Sequence, residues 1–462
     1  MKRRAFIQAT AISGVGALIV AKGAVVKGYT ANEKLNVALV GVGGRGQVFV
    51  DTIPEYDNVV AMCDCDDQKA ASSFNRLPDV PKFRDFRRML DQMGDQIDAV
   101  TIGVPDHNHA VISAAFMKAG KHVYCEKPLT RSVHEARRLR ELCHEHRVVT
   151  QMGNQGTAAE AFRRAVELLQ SGVIGEVREV HGWKTGASAS IVGGGAGNRE
   201  LPSGEQSVPE HLDWDLWLGP AAWRPYHPDW LHWRLWRGLG TGQLGNWSVH
   251  TMNVVFRGLN LDRLWYQDGA ETKPIKVYAE VSGIHHHTYP RREIVHFEIP
   301  EREGMPPVRV NWYNGHGEAP APRTYLEEIL ERKLDWGDAG RENWSDHAGC
   351  LLIGTKGALH SNGHNVEMTL LPEEKFRGFE SPERYLPRSG NHIPEWLKAC
   401  KGEGKPMSHF DFAGPQTEFA LLGNIATLYP EGFEFDPMKM KIPGNDEADR
   451  FLHVDYRQGW TL

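Results

Sequence analysis

Five neighbouring residues early in the chain have the types and spacing to hold a diphosphate. Gly41, Gly43 and Gly46 form a G-x-G-x-x-G turn, with Gly44 and Arg45 between them. The turn follows an apolar run, Leu35–Val40, and opens an amphipathic one. In that setting glycines let the backbone approach a pyrophosphate while a helix N-terminus faces its charge. The glycine pattern alone is weak, and the strand-to-helix context is what gives it meaning. A second apolar run, Val59–Cys63, ends in Asp64, 23 positions after Gly41. A carboxylate there accepts hydrogen bonds from a ribose 2′-hydroxyl and repels a 2′-phosphate. This favours NAD over NADP, although Arg45 or Lys69 could soften the repulsion.

Such a turn needs a parallel sheet behind it. Strand-like runs at Ile97–Ile102, Lys121–Cys125 and Val148–Gln151 alternate with helical stretches at Asn108–Ala119 and Val133–His146, the rhythm of βα units in a Rossmann sheet. At 462 residues, 41% apolar and 24% charged, the chain is globular and exceeds what one core usually organises, so two domains are expected. The rhythm places the first at residues 35–152 and the second at 153–462. Later strand-like pieces at Lys276–Val281, Glu293–Ile299, Val308–Tyr313 and Gly357–Ser361, with a helix over Thr417–Leu428, belong to the second.

Three local signatures carry a resemblance. Pro105, His107 and His109 follow the third strand, Glu126, Lys127 and Pro128 follow the fourth, and Gly245, Asn246, Trp247 and His250 come much later. Together with the ending Tyr456, Arg457, Gly459 and Trp460, they resemble the glucose–fructose oxidoreductase, inositol dehydrogenase and MocA (Gfo/Idh/MocA) family. The resemblance implies an α/β chain that pairs the Rossmann domain with a large, mostly antiparallel open sheet, working as a homo-oligomer. It also implies nucleotide contacts from Pro105, His107, His109, Glu126 and Lys127. Hydride transfer between a secondary alcohol and nicotinamide needs a base for the hydroxyl proton. Lys127 and His250 fill that role in the resemblance, and a cationic nicotinamide beside Lys127 would lower its pKa. One position departs: many relatives carry aspartate where this chain has Asn246. An amide cannot hold negative charge, which puts a full carboxylate–histidine–lysine trio in doubt. On a regular helix Asn246 and His250 share a face, so Asn246 is expected beside the substrate.

Nine of the fourteen tryptophans lie between Trp183 and Trp265, interleaved with arginines and histidines. Aromatic plates edged by polar groups suit the C–H faces and hydroxyls of sugars, and Tyr226, Trp233 and Arg234 are the candidate substrate residues. The Gly- and Ser-rich segment from Ile191 through Asn198 to Val208 reads as a long loop and a candidate lid. No metal site is expected: adjacent His285, His286 and His287 in a strand would point alternately to opposite faces, so they are read as solvated loop residues. The cysteines Cys63, Cys65, Cys125, Cys143, Cys350 and Cys400 lack paired zinc spacing and read as reduced, mostly buried small hydrophobes.

Lys and Arg number 53 against 59 Asp and Glu, a net charge of −6, which excludes a nucleic-acid or acidic-membrane partner as the main reading. The start differs in kind. Arg3 and Arg4, then Phe6 and Ile7, precede an uncharged stretch from Ala9 to Ala21, the outline of a twin-arginine export signal within residues 1–34. The stretch is too short for a stable membrane span. The expectation is therefore an exported, periplasmic, NAD-dependent oxidoreductase acting on a sugar, polyol or sugar derivative. Redox-neutral glycoside cleavage with tightly held NAD is the alternative, and a non-catalytic sugar-binding protein is a third reading, against which the presence of both Lys127 and His250 argues.

Overall fold

A computed structural model describes residues 19–21, 24–26, 33–185, 199–266, 273–315 and 347–462. The signal expectation falls almost wholly outside the described residues. What is described there is a pair of three-residue strands, β1 (Ile19–Ala21) and β2 (Ala24–Val26), which pair antiparallel. Residues 186–198 of the candidate lid also lie outside the described residues, and residues 199–208 carry no regular element.

The first sheet is parallel and six-stranded: β3 (Asn36–Val40), β4 (Asn58–Cys63), β5 (Lys82–Phe83), β6 (Ala99–Ile102), β7 (His122–Cys125) and β8 (Thr150–Met152), in spatial order 5-4-3-6-7-8. Its chain order reverses between β3 and β6, the switch point where dinucleotides bind at the carboxyl ends of the strands. The linking helices are α1 (Gln47–Tyr56), α2 (Asp67–Arg76), α3 (Phe86–Met93), α4 (Asp106–Lys118) and α5 (Val133–Glu145). Side-chain caps start several of them: Asp66 accepts from two main-chain N–H groups at α2, and Ser132 with Glu135 makes a reciprocal capping box at α5.

Helix α6 (Glu160–Gln170) leads into the second sheet, formed by β9 (Val177–Thr185), β10 (Ile275–Val281), β11 (Arg292–Ile299), β12 (Val308–Gly315), β13 (Ala348–Gly354), β14 (Gly357–Asn362), β15 (Met368–Leu371) and β16 (Phe433–Phe435). Their order is 15-14-13-9-12-11-10-16, and every pair is antiparallel except β9 with β12. This is the α/β architecture expected: a Rossmann sheet plus a large, mostly antiparallel one.

The second half does not stay on its own sheet. Helix His392–Cys400 lays Ile393, Trp396 and Leu397 against Val37, Leu39, Phe49 and Tyr124 on one face of the Rossmann sheet. Helix Phe410–Ala426 sends Phe410, Ala413 and Ala420 into the other face, and Phe419, Leu422 and Ile425 into the core under the second sheet. Arg137 on α5 holds Glu418 of that helix through two hydrogen bonds, at 2.9 and 2.8 Å. The helix starts seven residues before the expected Thr417, because it is buried along nearly its whole length and packing overrides Gly414 and Pro415. All six cysteines are free thiols, five of them buried. His286 and His287 are exposed in a loop.

Candidate functional site

The glycine turn is shaped by contacts that admit no side chain. Gly41 has φ +76°, and a Cβ on it would meet the Gly103 carbonyl carbon at 2.7 Å; one on Gly46 would lie 1.7 Å from the Gly41 carbonyl oxygen. Gly46 therefore lets α1 approach the turn and takes no place on the cavity wall. Gly44 has open space around it and lines the cavity with Gly41, Gly43 and Arg45. Asp64 braces this turn: one carboxylate oxygen accepts from Val42 N at 3.0 Å and Gly43 N at 3.1 Å, and the other from Asp66 N at 3.0 Å. Burial raises its pKa, against those same three N–H groups, which lower it. The carboxylate still faces the cavity, so it both sets the turn and borders the place of a ribose.

The cavity, about 380 Å³, runs from this turn past Gly103, Val104, Pro105 and Asp106 to Glu126 and Lys127, and is walled opposite by Trp217, Trp233 and Arg234. A glycine cradle at a helix N-terminus, an acid at the end of β4 and an elongated cleft over the switch point fit a dinucleotide. Arg45 reaches across to pair with Glu126 at 3.0 Å, and Gln155 also donates to Glu126.

At the Lys127 end lie the residues expected to handle the proton. The Lys127 Nζ donates to the Asn246 side-chain oxygen at 2.5 Å and to its main-chain carbonyl at 3.1 Å. Burial, then the nearby Arg234 guanidinium, lowers its pKa to about 8. Asn246 lies in a π turn, Leu244–Ser248, directly before the helical turn of Val249–Thr251. The element through Asn246 is thus a π turn and not the regular helix expected, and Asn246 engages Lys127, itself the charged group that weighs most on His250. His250, like Asn246, is buried behind Lys127 and does not line the cavity; burial, with Lys127 next, pushes its pKa well below the usual imidazole value, so it is neutral. Among the described residues its Nδ1 has no hydrogen-bond partner, and its ring lies 4.8 Å from that of His364.

His107 and His109 do not reach the cavity. His109 is buried with its ring nitrogens 2.8 Å from the carbonyls of Pro128 and Val104, bracing the loops after β6 and β7; His107 contacts the Trp217 carbonyl at 2.8 Å and that of Leu239 at 3.2 Å. Tyr226 is buried edge-on against Trp214 within a tryptophan cluster, away from the cavity wall, whereas Trp233 and Arg234 line it. His181 lies on the second sheet against Tyr313. Residues that spacing did not single out also line the cavity: Asp106, hydrogen-bonded to Thr241, and Phe86, Trp217 and Trp460. Asp106 lies inside the Pro105–His109 motif and Trp460 in the C-terminal one, whereas nothing local marks Phe86.

Residues 35–154 match the NAD-binding Rossmann fold of an oxidoreductase family, and residues 163–291 match its C-terminal alpha/beta domain. The chain belongs to the Gfo/Idh/MocA family. Among curated relatives, it is 26% identical over 160 residues to a levoglucosan dehydrogenase of Pseudarthrobacter phenanthrenivorans, a match covering 32% of this chain and 40% of the relative. It is 32% identical over 139 residues to a glycosyl hydrolase family 109 protein of Stenotrophomonas maltophilia, covering 27% and 29% respectively. The chain thus matches less than half the length of these relatives. The fold is shared with the WlbA dehydrogenase from Bordetella pertussis, crystallised with NADH and UDP-GlcNAcA, at a TM-score of 0.57 and 13% identity over 86% of this chain and 98% of that one.

Proposed function

We propose that this Gfo/Idh/MocA member is an exported NAD-dependent oxidoreductase that acts at a secondary hydroxyl of a sugar, polyol or sugar derivative. The observation that carries the reading is the Lys127–Asn246 contact at the inner end of the dinucleotide cleft. A neutral amine has two N–H groups. With both given to the Asn246 oxygens, the lone pair remains for a substrate hydroxyl proton. A carboxylate at position 246 would favour the ammonium, whereas the amide accepts the hydrogen bonds and leaves the lysine near pKa 8. When bound, NAD supplies the hydride acceptor at this end of the cleft. His250, neutral and with Nδ1 unpartnered among the described residues, can exchange a proton with a hydroxyl that reaches past the cavity lining, while Trp233 and Arg234 border the substrate side.

A second reading, redox-neutral glycoside cleavage, is favoured by the likeness to the glycosyl hydrolase family 109 protein. Incubating the purified protein with free sugars and with glycosides, while following reduced-nicotinamide absorbance and released sugar, tests both. Net absorbance change without cleavage supports the first, cleavage without net change the second, and neither with any carbohydrate overturns both. Export rests on Arg3 and Arg4: changing both to lysine should trap the folded protein in the cytoplasm, and undiminished export would overturn the route.

A further inference from the structure

The outer wall of the nucleotide cleft comes only in part from the Rossmann domain. Asp64 marks the ribose of the adenosine half, and the base lies beyond it along the cleft. There Phe86 on α3, Ile112 on α4 and Trp460 share one apolar cluster and all face the cavity. The Trp460 ring is tilted against Phe86, with centroids 6.2 Å apart, and carries the Arg87 guanidinium at 4.7 Å.

Two remote stretches of chain hold this wall. The stretch around Leu212–Trp217 spans the mouth of the cleft. On one lip Asp67 N donates to the His211 carbonyl at 2.9 Å and Asp213 N to the Cys65 carbonyl at 2.8 Å. On the other lip, the Asn108 side chain donates to the Trp217 carbonyl at 2.9 Å. Residues Tyr456–Leu462 are tied to that strap by Arg457. Its guanidinium pairs with the Asp215 carboxylate at 2.5 Å and donates to the Asp215 carbonyl at 2.6 Å, and its main-chain N–H reaches the Pro220 carbonyl at 3.2 Å. Tyr456 anchors the tail on α5 by donating to Glu135 at 2.6 Å.

We propose that the strap and the tail form a roof over the adenosine half, that Trp460 is the wall against which the adenine of NAD packs, and that Arg457 is the buckle that slows NAD release. Exchange of the cofactor then requires strap and tail to part, while the Lys127 end is not covered by this roof. Each hydride taken up is best returned on the same molecule, to a second substrate or to the same one. The inference rests on the reading of this cleft as an NAD site, and it assigns Trp460 and Arg457 binding roles, not catalytic ones.

The test is binding, measured without turnover. Calorimetry with NAD, with AMP and with nicotinamide mononucleotide compares wild type with Trp460→Ala and Trp460→Phe. Loss of one aromatic wall should weaken NAD and AMP about tenfold and leave the mononucleotide unchanged, and Trp460→Phe should recover most of the loss. Stopped-flow displacement of bound NADH should be faster in Arg457→Ala, and about two- to fivefold faster in Asp215→Asn, where an exposed carboxylate is removed without a packing change. Equal AMP affinity in a folded Trp460→Ala, equal losses for AMP and the mononucleotide, or unchanged NADH release in both buckle variants would overturn the roof. Wild-type protein that binds neither NAD nor AMP would overturn the cofactor reading itself.

Discussion

The turn around Gly41 and the corner around Lys127 face one cavity, yet they are built from different material. The turn is main chain: its shape comes from the positive φ of Gly41, the close approach of Gly46 to the Gly41 carbonyl and the N–H groups held on Asp64, all within 24 residues of sequence. The corner is side chain: Lys127 meets Asn246 across 119 positions, and a π turn in the other half of the molecule sets the contact. A main-chain site fails when bulk is added, and a side-chain site fails when charge is changed. The two regions should therefore break in different ways.

The largest effect is expected at the corner. Lys127→Ala should lower kcat by ~10²–10⁴ while NAD binding persists, as read by steady-state kinetics beside calorimetry. Full turnover on a confirmed substrate would refute the assigned base. At the turn, Gly46→Ala should do the reverse, abolishing measurable NAD binding and costing roughly 1–3 kcal/mol of stability in a denaturant melt, because its Cβ meets main chain that cannot step aside.

Charge changes sharpen the contrast. Oxidation needs neutral Lys127, so its rate should rise with pH through about 8. Asn246→Asp places a carboxylate against the ammonium, stabilises the charged form and should move that limb to higher pH. Arg234→Leu removes a cation that lowers the Lys127 pKa, so it moves the limb the same way by less. A limb that stays put in both variants would show that another group titrates. The smallest effect belongs to cofactor choice: wild type should prefer NAD to NADP, and Asp64→Ser should narrow the preference, with about 1–3 kcal/mol lost from NAD affinity as the turn and the ribose lose their acceptor. Equal wild-type affinities in calorimetry would remove the argument.

The same division explains what the sequence made legible. The glycines, Asp64 and the strands of the first sheet could be read because turn geometry and period act over short spans. Lys127, Asn246 and His250 stand out by motif, but the contact of Lys127 with Asn246 does not: it joins residues 119 positions apart through a π turn that spacing does not reveal. His107 and His109 carry the same kind of motif signal, yet they fold inward onto carbonyls, since a buried imidazole N–H must find an acceptor and main-chain carbonyls lie at hand. Tyr226 had the right type for a sugar wall but serves the tryptophan cluster. Trp460 could not be placed at all from spacing, because only the returning chain brings it to Phe86.

That return also orders events during synthesis. A nascent chain that has delivered residues 35–152 has all six Rossmann strands but lacks Trp396, which covers Leu39 and Tyr124, and Phe410, which covers the opposite face. Its sheet is therefore left with bare apolar surface on both sides until the helix Phe410–Ala426 emerges, and the cleft lacks Trp460 until still later. The nucleotide half is the first to be made and among the last to be finished, so it should depend on chaperone cover during translation, and a ribosome stalled before residue 392 should display a chain that binds apolar dyes and not nucleotide.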